Sequence, residues 1–386
     1  MAAQEVMRTV APSVGLPRMH KEAGERRDFL PEFVAFLDRA GADAVVVERD
    51  YGEGVGATVD DYLAISPRVR VGDLEETMDQ DLVCVLRFPD DIALRSLRPG
   101  AVLVSMLHLG TRPERAELME ALGAHGVSMD GIVDERGRRL VQNLEATAWN
   151  GVREAFRVLA GLHPNFSHPS RRPLHVACLG AGGVGGHAVR AATRYGDHGL
   201  REEMVAKNVP GVEVVVVDFD LTWHEDYMLD RFERTDLLID ATQRRDTSVP
   251  VVPNGWLSAL PADAVLLDLS ADPYELTATP PRVKGIEGIP HGNLDRWVFP
   301  PDDEAWDQAG SGVATAERRT ALSCYSWPGL EPEACMATYG EQLEPVLGLL
   351  MSTPVDALDP SSPSHLERAV ARAETSRWAR REAGRR

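Results

Sequence analysis

Residues 174–195 read LHVACLGAGGVGGHAVRAATRY. A short apolar run, Val176 to Leu179, breaks into a glycine-rich turn, and the sequence then resumes with residues that suit a helix. The pattern is strand, tight turn, helix. Gly180 permits the sharp exit from the strand, Gly182 lets the backbone approach a pyrophosphate, and Gly185 lets the helix pack closely on the strand. Ala181, Gly183 and Val184 complete the turn, whose helix N-terminus offers unpaired N–H groups and the positive end of a dipole to an anion. A second apolar strand, Val212 to Val217, ends in Asp218. A carboxylate there accepts hydrogen bonds from a ribose 2′-OH and repels a 2′-phosphate, which favours NAD over NADP. Asp220 is the rival for that contact. The interval from turn to acid exceeds the usual spacing of about 20 residues, which predicts an insertion over residues 197–210.

Outward from this turn, composition bounds the rest. The chain of 386 residues is long enough for two domains, each with its own core. Its net charge of -19 opposes binding to nucleic acid or an anionic membrane through a general field. No stretch approaches 18 consecutive apolar residues, and MAAQEVMRTVAPS at the N-terminus has no apolar signal core, so a cytoplasmic location is expected. Cys84, Cys178, Cys324 and Cys335 lack CxxC spacing and read as buried free thiols, with no metal site implied.

In chain order, strand-like segments at residues 13–18, 42–48, 81–86, 100–107 and 127–130 alternate with a helix opened by Pro31, a glycine-rich turn at YGEGVG, a short acidic helix near residues 59–64, and a helix opened by Pro113. That alternation predicts a parallel sheet covered on both faces. Residues 144–162 read as one long helix and HPNFSHPSRRP as a linker. Beyond the glycine turn, TDLLIDA (235–241) and AVLLDL (264–269) supply further buried strands. The expected architecture is α/β, with two Rossmann-like doubly wound domains of parallel sheets and a cleft between them. The expected divisions are 1–143, a connecting helix and linker at 144–172, a cofactor domain at 173–325, a returning helix at 326–360 and a basic tail at 361–386. Residues 284–323, rich in Gly, Pro and Asp, read as a long insertion or lid. The Arg-rich tail reads as a solvated helix, with docking on an acidic surface of another subunit as the alternative.

Several segments carry a resemblance. VGLPRMHKEAGERRDFLP (14–31), DLVCVLRFPDD (81–91), GAVLVSMLHLGTRPE (100–114), the glycine turn with VVVVDFD (214–220), and LLDLSADP (266–273) stand in the order seen in one superfamily. The chain resembles the alanine dehydrogenase and nicotinamide nucleotide transhydrogenase superfamily, which also includes lysine-forming saccharopine dehydrogenases and N5-(carboxyethyl)ornithine synthases. The resemblance covers residues 14–350, apart from 284–323.

Oxidation of an amine removes a hydride from carbon and a proton from nitrogen before water attacks the imine, and histidine has a suitable intrinsic pKa for the proton steps. His108 follows an apolar strand, where open α/β sheets place their sites. A structural hydrogen bond is the competing reading of the residue alone; the resemblance implies a general acid/base. Arginine suits bidentate grip of a carboxylate, and the resemblance implies that role for Arg87 together with Arg26 or Arg27. Alanine dehydrogenases have Lys at the Arg87 position, so any proton-sharing role there is lost. The resemblance also implies Asp272 beside the nicotinamide, with Asp268 structural. Gln243, Arg244 and Arg245 follow a strand end and read as an exposed group.

The expectation is an NAD-dependent oxidoreductase acting on a CH–NH bond, interconverting an amino acid or an opine- or saccharopine-like secondary-amine acid with a 2-oxo acid plus an amine. An NAD-dependent lyase or cyclase without net redox change is the alternative, and alanine dehydrogenase another. The expected partner is a small amino or 2-oxo acid, with no nucleic acid or membrane, and with self-association open.

Overall fold

The computed structural model describes residues 11–244 and 246–384. The N-terminal stretch read for a signal core therefore lies mostly outside the described residues, as does Arg245. Two compact units emerge, one built from the chain up to Asn143 together with the stretch from Glu331 onward, the other from Leu144–Leu330.

The first unit is organised on β1 (Val14–Leu16), β2 (Val45–Glu48), β3 (Val69–Gly72), β4 (Leu82–Arg87), β5 (Val102–Met106) and β6 (His125–Ser128). They form a parallel sheet in the order β3-β2-β1-β4-β5-β6. Val45, Val46 and Val47 are all fully buried, as strands covered on both faces require. Each such side chain contributes about 1.5–3 kcal/mol relative to exposure. The chain leaves β1 toward β2 on one side, and β4 continues toward β5 on the other, so the order reverses between β1 and β4. A crevice opens there at the carboxyl ends of the strands. β3 has no counterpart in the sequence reading, because VRVG is too short and too polar at its centre for the pattern to register.

The C-terminal stretch completes this unit. Helix Pro332–Ser352 contributes Leu343, Leu347 and Leu350 to its core. The basic tail forms helices His365–Ala373 and Thr375–Ala383, and Ala369, Val370, Ala371 and Ala373 are buried in the same core. Glu374 pairs antiparallel with Val127 of β6, and Thr375 Oγ1 accepts from Gly126 N–H at 3.1 Å. The expectation of a solvated tail is thus corrected. Arg368 and Arg372 pair with Glu135 and Arg377 donates to the carbonyls of Val355, Asp356 and Leu358, while the alanines and valine face in.

The second unit carries β7 (Leu174–Leu179), β8 (Val212–Val217), β9 (Leu237–Asp240), β10 (Val265–Asp268), β11 (Val298–Phe299) and β12 (Thr320–Ser323) in the order β11-β12-β10-β9-β7-β8. All pairings are parallel except β11 on β12, so this sheet is mostly parallel instead of wholly so. A helix, His198–Ala206, fills the expected insertion. The long helix Leu144–Leu162 packs its buried face, including Val152, Phe156 and Leu159, on the same core.

Residues 284–323 are not a lid. They supply the sheet strand β12 and the fully buried Trp306, whose indole N–H donates to Pro300 O at 2.9 Å. They also supply Lys284, which has no solvent exposure and donates to Asp268 Oδ2 at 2.7 Å and Ser323 Oγ at 3.1 Å.

Candidate active site

In the first unit the predicted residues gather along the carboxyl edge of the sheet. Met106 of β5 pairs with Arg87 of β4, so His108 emerges two residues beyond the strand adjacent to Arg87. His108 has φ +51, the left-handed region that non-glycine residues rarely occupy. Asp130 holds it there: Oδ1 accepts the His108 N–H at 3.0 Å, and Oδ2 lies 3.4 Å from Nδ1. Ser128 Oγ adds a third bond to the same carboxylate at 2.8 Å. Burial opposes the Asp130 charge, but the ring and N–H of His108 outweigh it and hold the carboxyl well below the usual range. A buried anion on Nδ1 fixes the tautomer and leaves Nε2 as the working nitrogen. The imidazole itself is 43% exposed, open to a ligand. Sequence reasoning missed Asp130; its only signal is an acid just past the strand after His108.

Arg87 closes the end of β4 and donates to Glu22 at 3.0 Å. It lines an open pocket at the β1/β4 switch point, with Arg18, His20, Lys21, Phe88 and Asp90 among its walls. Arg26 and Arg27 part company. Arg27 is buried and makes a bidentate pair with Glu25, Nε to Oε1 at 2.7 Å and a terminal nitrogen to Oε2 at 2.5 Å. Its charge is already matched in the interior, and it holds the Glu25 carboxyl low against burial. Arg26 is exposed. Lys21 was not singled out from sequence; the visible signal was its position just past the first strand at the order reversal.

In the second unit the glycine turn has the dimensions its sequence asks for. Gly180 has φ +95, and a Cβ on Gly185 would stand 2.0 Å from Gly180 O. A Cβ on Gly182 would meet nothing within 4 Å, so the space beside the turn is open. Gly182 caps helix Gly183–Ala192 with no side-chain hydrogen bond, leaving its first N–H groups to a ligand. Ala181 and Val184 lie within this turn. Asp218, exposed at the end of β8, accepts from Phe219 N–H at 2.9 Å and from Ala181 N–H at 3.4 Å. Its carboxylate therefore reaches the turn itself. Asp220, two residues further on, is exposed as well.

Asp272 accepts from Arg244 at 2.8 Å. Arg244 has a side chain only 6% exposed and also bonds Val249 O and Val283 O, which corrects its reading as an exposed arginine. Asp268 is fully buried on Lys284, as a structural role requires. Lys284 keeps the Asp268 carboxyl low despite burial, whereas burial and the Asp268 charge push the neighbouring Asp240 upward.

The four cysteines are buried and free. Among the described residues, no group of three or more His, Cys, Asp or Glu is arranged to hold a metal, and no helix is long and apolar enough to cross a membrane.

Comparison with known proteins matches residues 15–147 to the alanine dehydrogenase/PNT N-terminal domain. Within those residues the chain carries a domain similar to that family's N-terminal domain. An L-alanine dehydrogenase structure superposes with a TM-score of 0.66 at 16% identity, covering 94% of each chain. A transhydrogenase from Sinorhizobium meliloti superposes with a TM-score of 0.59 at 17% identity, over 89% of this chain and 96% of that one. The NAD(P) transhydrogenase subunit alpha of Haemophilus influenzae is 21% identical over 353 residues, 87% of this chain. The match spans only 66% of that subunit's length. The α/β fold of this chain, with its two sheets, is the fold of that L-alanine dehydrogenase.

Proposed function

We propose that this protein is an NAD-dependent oxidoreductase acting on the CH–NH bond of an amino acid or an opine- or saccharopine-like secondary-amine acid. The observation that carries the reading is the Asp130–His108 pair, a histidine held by a buried carboxylate and open to a ligand at the carboxyl edge of a parallel sheet. Hydride exchange between two nucleotides alone needs no proton shuttle of that kind, which favours amino-acid chemistry over a transhydrogenase subunit's role.

The glycine turn fits a dinucleotide. Gly182 leaves room for the pyrophosphate, the uncapped N–H groups after it supply donors, and Asp218 stands where a ribose diol binds and a 2′-phosphate is repelled. A nicotinamide nucleotide held by these residues would supply the hydride acceptor for the substrate carbon. His108 Nε2 takes a proton from the amine as the carbon is oxidised and releases it to solvent; it then takes the protons of the water that attacks the imine carbon one at a time and returns each to the departing nitrogen, with Asp130 stabilising the imidazolium. Arg87 and the exposed Arg26 hold the substrate carboxylate. Arg27, paired with Glu25, shapes the site from within. Asp272 reaches the nicotinamide ribose only by sharing or leaving its bond to Arg244.

Purified protein mixed with NAD and a panel of amino acids and opines, followed by NADH absorbance, tests the reading. NADH release with at least one acid is expected, and NADH consumption with the matching 2-oxo acid and amine. Silence in both directions across the panel overturns it.

A further inference from the structure

The pocket at the end of β1 holds more positive charge than one substrate carboxylate requires. Arg87 and Arg26 suffice for an α-carboxylate, since one guanidinium already binds a carboxylate through two parallel hydrogen bonds. Yet Lys21 also lines this pocket, and among the described residues its ammonium makes no hydrogen bond and no ion pair. The nearby acids are engaged elsewhere: Glu22 accepts from Arg87 at 3.0 Å, and Asp90 Oδ1 accepts the N–H groups of Ile92 and Ala93 at 3.1 and 2.9 Å. Arg115 stacks over Phe88, a pocket wall, at 4.3 Å from the ring centroid, and donates to Leu107 O. Burial and the charges of Arg115, Arg87 and Arg112 pull the Lys21 ammonium below the usual lysine range, with Glu22 working the other way. A cationic pocket in a chain of net charge -19 is a local arrangement, not a reflection of composition. Met19, Val85 and Phe88 give the same pocket an apolar wall suited to a short methylene chain.

We propose that this pocket takes a second carboxylate of the substrate, with Lys21 as its counter-ion, so that the substrate is an amino or 2-oxo dicarboxylic acid and Lys21 determines specificity. The inference rests on the substrate site assigned above. Lys21 contributes no proton to the reaction; its ammonium attracts the distal carboxylate, and the apolar wall accommodates the carbons between the two acid groups.

The test is calorimetric binding of 2-oxoglutarate and of pyruvate, with saturating NADH and again without nucleotide. The wild-type protein is expected to bind 2-oxoglutarate at least about tenfold more tightly than pyruvate in one of the two conditions, a difference of about 1.4 kcal/mol. Lys21→Met is expected to erase the preference while leaving pyruvate within about threefold of wild type, and Lys21→Arg to keep most of it. Equal affinities in the wild type, no binding of either acid, an unaffected preference in Lys21→Met, or equal weakening of both acids each overturns the proposal. The readout does not depend on turnover. Selective binding without any NADH chemistry would sink the dehydrogenase reading and leave the dicarboxylate pocket standing, and NADH chemistry without selectivity would do the reverse.

Discussion

Asp130 grips His108 at two points, accepting the backbone N–H with one carboxylate oxygen and facing Nδ1 at 3.4 Å with the other. A side chain held only through its ring could swivel. One whose main chain is held by the same carboxylate, in a left-handed conformation, cannot turn without breaking both contacts.

His108→Gln is expected to lower the turnover of any amine oxidation by about 10²–10⁴-fold, the usual worth of a positioned acid/base group. Asp130→Asn keeps the shape but favours the wrong tautomer, so kcat falls and KM changes little. Because Asp130 stays ionised far below neutrality, its own titration should leave no acid limb in the pH–rate profile between pH 5 and 9. Steady-state kinetics on both variants, with circular dichroism to verify folding, check these outcomes.

Asp218 is expected to set cofactor choice. Replacing it by Ser removes the repulsion of a 2′-phosphate and one ribose contact, so NADPH should gain on NADH by about tenfold or more in direct binding titrations. An unchanged ratio would move the ribose contact to Asp220.

Lys284 and Asp268 are both without solvent exposure, which makes their pair costly to break from one side. Lys284→Met leaves a buried carboxylate uncompensated and should cost about 3–5 kcal/mol in urea unfolding. The neighbouring Asp240, whose carboxyl burial already pushes up, should then titrate higher still.

The docking of the C-terminal helices should depend on pH. Glu374 Oε1 lies 3.6 Å from His125 Nδ1. Glu374 is lowered from 4.5 to about 2, against burial, by His125 and by the N–H groups of Ser376 and Arg377. Its stabilisation is therefore complete above pH 4.5 and is lost as pH falls toward 2. His125 is raised above 6.5, first by its bond to Glu374 and, against burial, by Asp356; its stabilisation is complete below 6.5 and is lost as pH climbs through the raised value. Both contributions coexist between pH 4.5 and 6.5, where the hydrogen-exchange protection factors over residues 365–384 should be largest. Glu374→Gln should flatten that dependence and weaken docking by about 1–2 kcal/mol.

The parts of the fold that sequence revealed are those governed by local rules. A glycine turn is a backbone requirement met within ten residues, and runs such as Val45–Val47 carry their burial in their composition. What sequence hid depends on partners far along the chain. Nothing beside Lys284 in sequence marks it as buried, because Asp268 and Ser323, which receive its ammonium, lie elsewhere in the chain. Arg244 reads as exposed until the carbonyls of Val249 and Val283 enclose it. β12 is four residues preceded by two arginines, and it becomes a strand only through its register with β10. At the candidate site, His108 and Arg87 were legible from their strand ends. Asp130 and Lys21 were not, because their roles come from side-chain geometry across neighbouring strands.

The first unit is discontinuous in sequence, and its core needs helix Pro332–Ser352 and the alanines of His365–Ala373. On the ribosome those helices emerge only after the whole of the contiguous second unit has been synthesised. The sheet bearing His108 and Arg87 must therefore wait, incompletely covered, through the translation of the intervening 144–330 stretch. The half that carries the glycine turn can mature during synthesis, whereas the half that carries the His108–Asp130 pair becomes whole only after the stretch from Glu331 onward has been made.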